Sequence, residues 1–93
     1  SLHGEVWAQQ RQVTGTVISA EDNLPLPGVN IRIKGTTKGA ISDIDGKYSI
    51  QASSNEVLIF SFVGYATKQF SASEIQENSG LIFLKSKKEL ALF

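Results

Sequence analysis

Val29-Asn30-Ile31-Arg32-Ile33-Lys34, then Gly35-Thr36-Thr37-Lys38-Gly39, Ala40-Ile41-Ser42, Asp43-Ile44-Asp45-Gly46 and Lys47-Tyr48-Ser49-Ile50-Gln51-Ala52, is the stretch that decides the fold. In its first six residues three β-branched or aliphatic side chains alternate with three polar ones. Successive side chains of an extended chain point to opposite faces, so this period of two describes a strand with one buried face. The glycine-flanked residues 35–39 end it as a turn, and Ala40-Ile41-Ser42 begins the return strand. Asp43-Ile44-Asp45-Gly46 is a second turn, with Gly46 placed for positive φ and the aspartates able to accept from nearby backbone amides. Lys47 to Ala52 alternates again.

Towards the N-terminus, Leu24-Pro25-Leu26-Pro27-Gly28 is an extended connection, since proline cannot donate to a ladder and pushes its predecessor to extended geometry. Before it lie the polar turn Glu21-Asp22-Asn23 and a first strand with Val13, Gly15 and Val17 on one face. Residues 1–11 read as a tail outside the fold. Val6-Trp7-Ala8-Gln9-Gln10 has the small-then-polar pattern that ends a secretory signal, and a plain N-terminal tail accounts for it equally.

Towards the C-terminus, Ser53-Ser54-Asn55 is a loop and Val57 to Val63 is apolar on both faces, which predicts a central strand covered on both sides. Gly64 interrupts it as a bulge or bend. Tyr65 to Ser71 resumes the alternation, with the Tyr65 hydroxyl placed to lock a strand corner. Ser73 to Ser79 is polar and reads as a loop with room for one helical turn. Gly80 to Lys85 is the last strand, and Lys85, Lys87 and Lys88 make a solvated exit into a linker over residues 87–93. Seven short strands at intervals of roughly 8–12 residues predict an all-β antiparallel sandwich over residues 12–86.

A chain of 93 residues is a single domain with a small core and no large cleft to spare. Hydrophobic residues at 41% and charged residues at 19% suit a globular fold. Nine basic residues balance nine acidic ones, so there is no basic stripe for nucleic-acid phosphates. The absence of cysteine excludes disulfides, thiolate metal sites and cysteine nucleophiles together. No apolar run approaches the roughly 20 residues that span a bilayer as a helix.

No residue pattern recommends a catalytic residue or a cofactor site. His3, the only histidine, lies in the tail and cannot build a triad or a three-ligand zinc site alone. The serines have no histidine within the fold to activate them. Asp43 and Asp45 are the metal candidates: with Gly46 they form a fragment of a calcium loop, but no acidic residue follows until Glu56, where a twelfth-position ligand is already overdue. A hairpin turn explains the same four residues. Gly35-Thr36-Thr37-Lys38-Gly39 lacks the Gly-Lys-Ser/Thr ending of a phosphate loop and no helix follows it. Among the aromatics, Tyr48, Phe60, Phe62, Tyr65, Phe70 and Phe83 fall on strand positions expected to pack in the core, while Trp7 and Phe93 lie in the flanks.

Five motifs in order carry a resemblance: Val13-Thr14-Gly15-Thr16-Val17; Leu24 to Ile31; Ile33-Lys34-Gly35-Thr36-Thr37-Lys38-Gly39; Ser42 to Ile50; and Leu58-Ile59-Phe60-Ser61-Phe62-Val63-Gly64-Tyr65. Together they resemble the carboxypeptidase-D regulatory-like domain, as found ahead of the plug in SusC-like TonB-dependent outer-membrane receptors of Bacteroidetes. The resemblance implies a Greek-key, transthyretin-like sandwich. It also implies a non-catalytic accessory module on the periplasmic face of the outer membrane, reached through a signal peptide and serving uptake of glycans or other nutrients. The implied partners are the downstream plug and barrel of the same chain or periplasmic energy-transduction proteins, with neither nucleic acid nor direct membrane insertion. Such receptors usually continue into a Glu-Val-Val-Val-rich TonB box, which Lys88-Glu89-Leu90-Ala91-Leu92-Phe93 does not match. The other readings are a lobe beside a metallocarboxypeptidase or other surface enzyme, and a carbohydrate-binding or adhesive sandwich, which would need an exposed aromatic platform. An edge strand is the expected contact surface.

Overall fold

The computed structural model describes residues 9–90. In chain order its elements are β1 (Arg11–Ser19), β2 (Asn30–Ile33), β3 (Gly39–Ile41), β4 (Lys47–Ala52), β5 (Val57–Ser61), β6 (Lys68–Ser71), α1 (Ala72–Glu77), β7 (Leu81–Leu84) and α2 (Lys87–Leu90). The strands form two sheets, β4-β1-β7 and β3-β2-β5-β6, so the all-β expectation holds. β1 opens at Arg11, the last residue assigned to the tail, and the helical turn α2 occupies part of the stretch read as a linker.

The period of two is what closes the two sheets on each other. β4 alternates exposed and buried side chains without a break, and β2 does the same over four residues. The buried faces supply Val13, Val17, Ile31, Ile33, Leu58, Phe60 and Leu84, all at or near zero exposure. Each such burial contributes about 1.5–3 kcal/mol before the entropy of ordering the chain is set against it. Phe60 sits at the centre, edge-on to Tyr48 at 5.3 Å and to Phe70 at 6.5 Å between ring centroids, the geometry that aromatic quadrupoles favour.

Both predicted turns form. Gly35 and Gly46 have φ of 80° and 75°, which only glycine adopts without strain. In the extended connection, Leu26 N–H donates to Val17 O at 2.9 Å, while Val17 N–H donates to Gly46 O at 2.8 Å. The middle of β1 thus ties the proline-rich segment to the β3–β4 turn.

Four expectations need correcting. The sandwich is not wholly antiparallel: β1 pairs with β4 antiparallel but with β7 parallel, from Thr16↔Leu81 to Ser19↔Leu84. β7 reaches β1 by a crossover from the other sheet, not by a hairpin, and a crossover delivers a strand in either direction. The Ser73–Ser79 stretch is not mainly loop, because α1 covers Ala72–Glu77. Ser71 and Glu74 form a reciprocal capping box, and the helix buries Ala72 and Ile75, which together outweigh a polar composition. β5 lies inside its sheet, as expected, but its outer residues Val57, Ile59 and Ser61 are only half-buried, so a second layer does not cover it.

The fourth concerns the corner lock. Among the described residues Tyr65 makes no hydrogen bond through its hydroxyl; it stacks at a tilt on Phe62, 5.6 Å away. The lock is Tyr48, whose hydroxyl donates to Gly80 O at 2.7 Å across 32 residues of sequence. The same carbonyl accepts Thr16 N–H at 3.1 Å. Burial disfavours the phenolate and pushes the Tyr48 pKa well up.

The β1–β7 contact at this point admits no side chain. A Cβ on Gly15 would stand 2.6 Å from the Gly80 Cα and overlap its carbonyl, with backbone on both sides and nothing flexible to give way. Gly15→Ala is therefore expected to cost about 3 kcal/mol or more, the upper end for overpacking. Gly35→Ala, at positive φ but with nothing within 4 Å, is expected to cost about 1 kcal/mol. Urea midpoints of the two variants check the ordering. Tyr48→Phe removes one of the two donors to the Gly80 carbonyl, leaving Thr16 N–H, and is expected to cost about 0.5–1.5 kcal/mol. Because the folded-state pKa is raised, the Tyr48 contribution is complete below the unfolded value of about 10 and is lost as pH climbs above it. Urea titrations at rising alkaline pH should show that part of the decline missing from the phenylalanine variant.

Candidate functional site

The residues singled out for chemistry are occupied with structure. Asp43 Oδ1 accepts the backbone N–H groups of Asp45 and Lys47, each at 2.9 Å, and Gly46 N–H donates to Asp43 O at 2.8 Å. That is an Asx-type turn, though not the hairpin turn expected, because it carries the chain from β3 in one sheet to β4 in the other. Among the described residues no group of three or more histidine, cysteine, aspartate or glutamate side chains converges to hold a metal. Residues 35–39 form the β2–β3 hairpin: Thr36 Oγ1 donates to Ile33 O at 2.9 Å and accepts Lys38 N–H at 3.1 Å.

The buried serines are equally committed. Ser42 Oγ donates to Leu26 O at 2.7 Å and accepts Val29 N–H at 2.8 Å; Ser19 Oγ donates to Glu21 Oε1 at 3.1 Å. Neither hydroxyl is left poised towards solvent beside a base. His3, Trp7 and Phe93 lie outside the described residues.

Lys85, Lys87 and Lys88 are exposed around the exit from β7. The exit itself is fixed, since Lys87 N–H donates to Gly64 O at 2.8 Å and Ser86 N–H to Glu21 Oε2 at 2.9 Å. The Ser86 amide, with help from the Ser19 hydroxyl, holds the exposed Glu21 carboxyl below its usual range.

What remains is one open side of the sandwich, where edge strands β6 and β7 face each other. They are tied at one end, where Ala66 N–H donates to Lys85 O at 2.9 Å and Tyr65 bridges to Ser86. At the other end α1 joins them, closed by Gly80 N–H donating to Ile75 O at 2.8 Å. Between the ties lies a half-open groove of about 310 Å³. Phe70, Ile75 and Ile82 form its apolar lining, Leu81 and Phe83 its β7 wall, and Lys68 and Glu74 carry opposite charges along it.

Phe83 was expected in the core, yet 43% of it is exposed, and Leu81 beside it is 42% exposed. The strand pairing explains both. Ile82 and Leu84 take the inward positions, so Leu81 and Phe83 must face out, where Phe83 pairs in register with the half-buried Ile18. The signal for this was in the sequence: Leu81-Ile82-Phe83-Leu84 has no polar face, although β7 is an edge strand.

Known proteins give this arrangement a family. The model of the CarboxypepD_reg-like domain matches residues 13–92. The chain belongs to that family. The domain is 42% identical over 86 residues to TonB-dependent receptor P3 of Formosa agariphila, covering 91% of this chain and 8% of that protein. To TonB-dependent receptor P26 of the same organism it is 48% identical over 69 residues, 74% of this chain and 6% of that protein. To TonB-dependent receptor SusC of Bacteroides thetaiotaomicron it is 34% identical over 65 residues, 70% of this chain and 6% of that protein. It thus spans less than a tenth of the length of these relatives.

Asp43 decides between turn and metal site experimentally. Asp43→Ala removes the acceptor for two amides and is expected to cost about 1 kcal/mol, while Asp43→Asn keeps a side-chain oxygen and most of the stability. Millimolar calcium should leave every urea midpoint unmoved; a calcium-dependent rise that Asp43→Ala abolishes would reinstate the metal reading.

Proposed function

We propose that this domain is a non-catalytic accessory module of a TonB-dependent outer-membrane receptor, on the periplasmic face and serving uptake of a nutrient, most simply a glycan. The observation that carries the reading is the match to TonB-dependent receptors at 42% and 48% identity, in which the matching part is a small fraction of a much longer chain. In this reading the fold is the Greek-key, transthyretin-like sandwich of its family, and its contacts are with the plug and barrel of its own chain or with the energy-transduction machinery.

The site chemistry is consistent with such a role. Both buried serine hydroxyls and, of the two turn carboxylates that invited a metal reading, that of Asp43 already have backbone or side-chain partners; Asp45 is exposed. Among the described residues no helix is long and apolar enough to cross a membrane. The feature left over for function is a surface.

Removing residues 13–86 from the full-length receptor, with the preceding leader and the following chain intact, tests the assignment. Receptor abundance in the outer membrane is expected to stay at the wild-type level while TonB-dependent uptake falls several-fold. Unchanged uptake at unchanged abundance would remove the transport role, and turnover of any substrate by the purified domain, lost on a point substitution, would remove the non-catalytic one.

A further inference from the structure

We propose that the open edge of β7 receives an extended segment of the same receptor polypeptide as an added strand, with that segment's apolar side chains seated in the groove between β6 and β7. The proposal rests on the receptor reading above.

The backbone argues first. β7 pairs with β1 on one side, and among the described residues no strand pairs on the other. Gly80 O and Leu84 O accept from Thr16 and Ala20, so the even-numbered positions face β1. The period of two turns the odd positions outward. Leu81 N–H is taken by Asn78 O and Lys85 O by Ala66 N–H, which brackets a window containing Leu81 O and both backbone groups of Phe83. An unpaired row of this kind is a template for strand addition, and proteins ordinarily blunt it with charge, proline or a bulge. Here the edge carries Leu81 and Phe83 instead.

The side chains agree. A strand laid along β7 would alternate between two apolar surfaces. Its inward residues would meet Phe70, Ile75 and Ile82, and its outward ones would extend the Ile18–Phe83 strip. The preferred occupant is therefore an extended segment of about four residues with apolar side chains on both faces, unlike the alternating pattern of a half-exposed strand.

Area and charge select its source. Pairing along four residues buries only a few hundred Å², far below the roughly 1,200 Å² of a stable bimolecular interface, so neither a second copy nor a free partner is held by this edge alone. Lys68 and Glu74 cancel along the groove, and the chain has no net charge, so nothing steers a separately diffusing protein to it. A tethered segment needs neither large area nor steering, because the linker holds it at an effective concentration on the order of millimolar. The relatives, in which this domain is 6–8% of the chain, have ample polypeptide to supply one.

Phe83→p-benzoylphenylalanine in the full-length receptor tests this by photo-crosslinking in cells. The substitution lies outside the core and should leave receptor abundance unchanged; Gln51→p-benzoylphenylalanine, exposed on the far edge strand β4, is the control. The expected product is an adduct at position 83 to a peptide of the same polypeptide outside residues 9–90, absent from the control. Hydrogen exchange on the unsubstituted full-length receptor should find the Phe83 amide slowed by about tenfold or more relative to an open amide. An adduct to a second copy or to another protein, no intramolecular adduct, or an unprotected Phe83 amide would each overturn the proposal. Uptake is not read here, so failure of this test leaves the deletion result standing, and failure of the deletion test leaves this one interpretable.

Discussion

The carbonyl of Gly80 is where the two halves of the chain are pinned together. It accepts the Tyr48 hydroxyl from β4 and the Thr16 amide from β1, while its backbone lies so close to Gly15 that no Cβ fits between them. Three strands of one sheet thereby depend on a single turn. That turn is fixed by α1, whose Ile75 carbonyl takes the Gly80 amide and whose capping box sets the helix start at Ser71. A helix of six residues is too short to be stable by itself, so it exists because Ala72 and Ile75 are buried and both ends are satisfied.

From this pin follows the open side. The crossover that carries the chain from β6 to β7 joins two edge strands of different sheets, and they are tied to each other only at their ends. Phe70 and Ile82 are thus core residues at the margin of the core, and Leu81 and Phe83 have nowhere inward to go. The hydrophobic face that a larger sandwich would cover with another strand is left open among the described residues. For a module that spans less than a tenth of its relatives, an edge of this kind is a natural place of attachment.

The pairing of the buried polar groups has a physical cause. In a core this small, each buried polar group must find a partner, because leaving one unmade costs more than making it gains. Ser19, Ser42 and Tyr48 all find theirs, and no buried side-chain polar atom lacks one among the described residues. Groups so fully used to hold turns and corners are poor candidates for nucleophiles or ligands.

Much of this was legible in the chain itself. Period-two alternation in Val29–Lys34 and Lys47–Ala52 determined strand type, and the glycines and aspartates of residues 35–39 and 43–46 determined the turns, because these signals act between neighbours in sequence; that the second turn changes sheets and closes no hairpin was not among them. The capping box at Ser71 and Glu74 was equally local, though its polar setting disguised it. What the alternation could not contain was which strands meet. The parallel β1–β7 pair, the choice of Tyr48 over Tyr65 as the lock, and the outward turn of Phe83 all rest on contacts between residues far apart in sequence, such as the 32 that separate Tyr48 from Gly80. A strand apolar on both faces, such as Leu81–Leu84, says only that both faces prefer cover; the tertiary structure decides which one the core supplies.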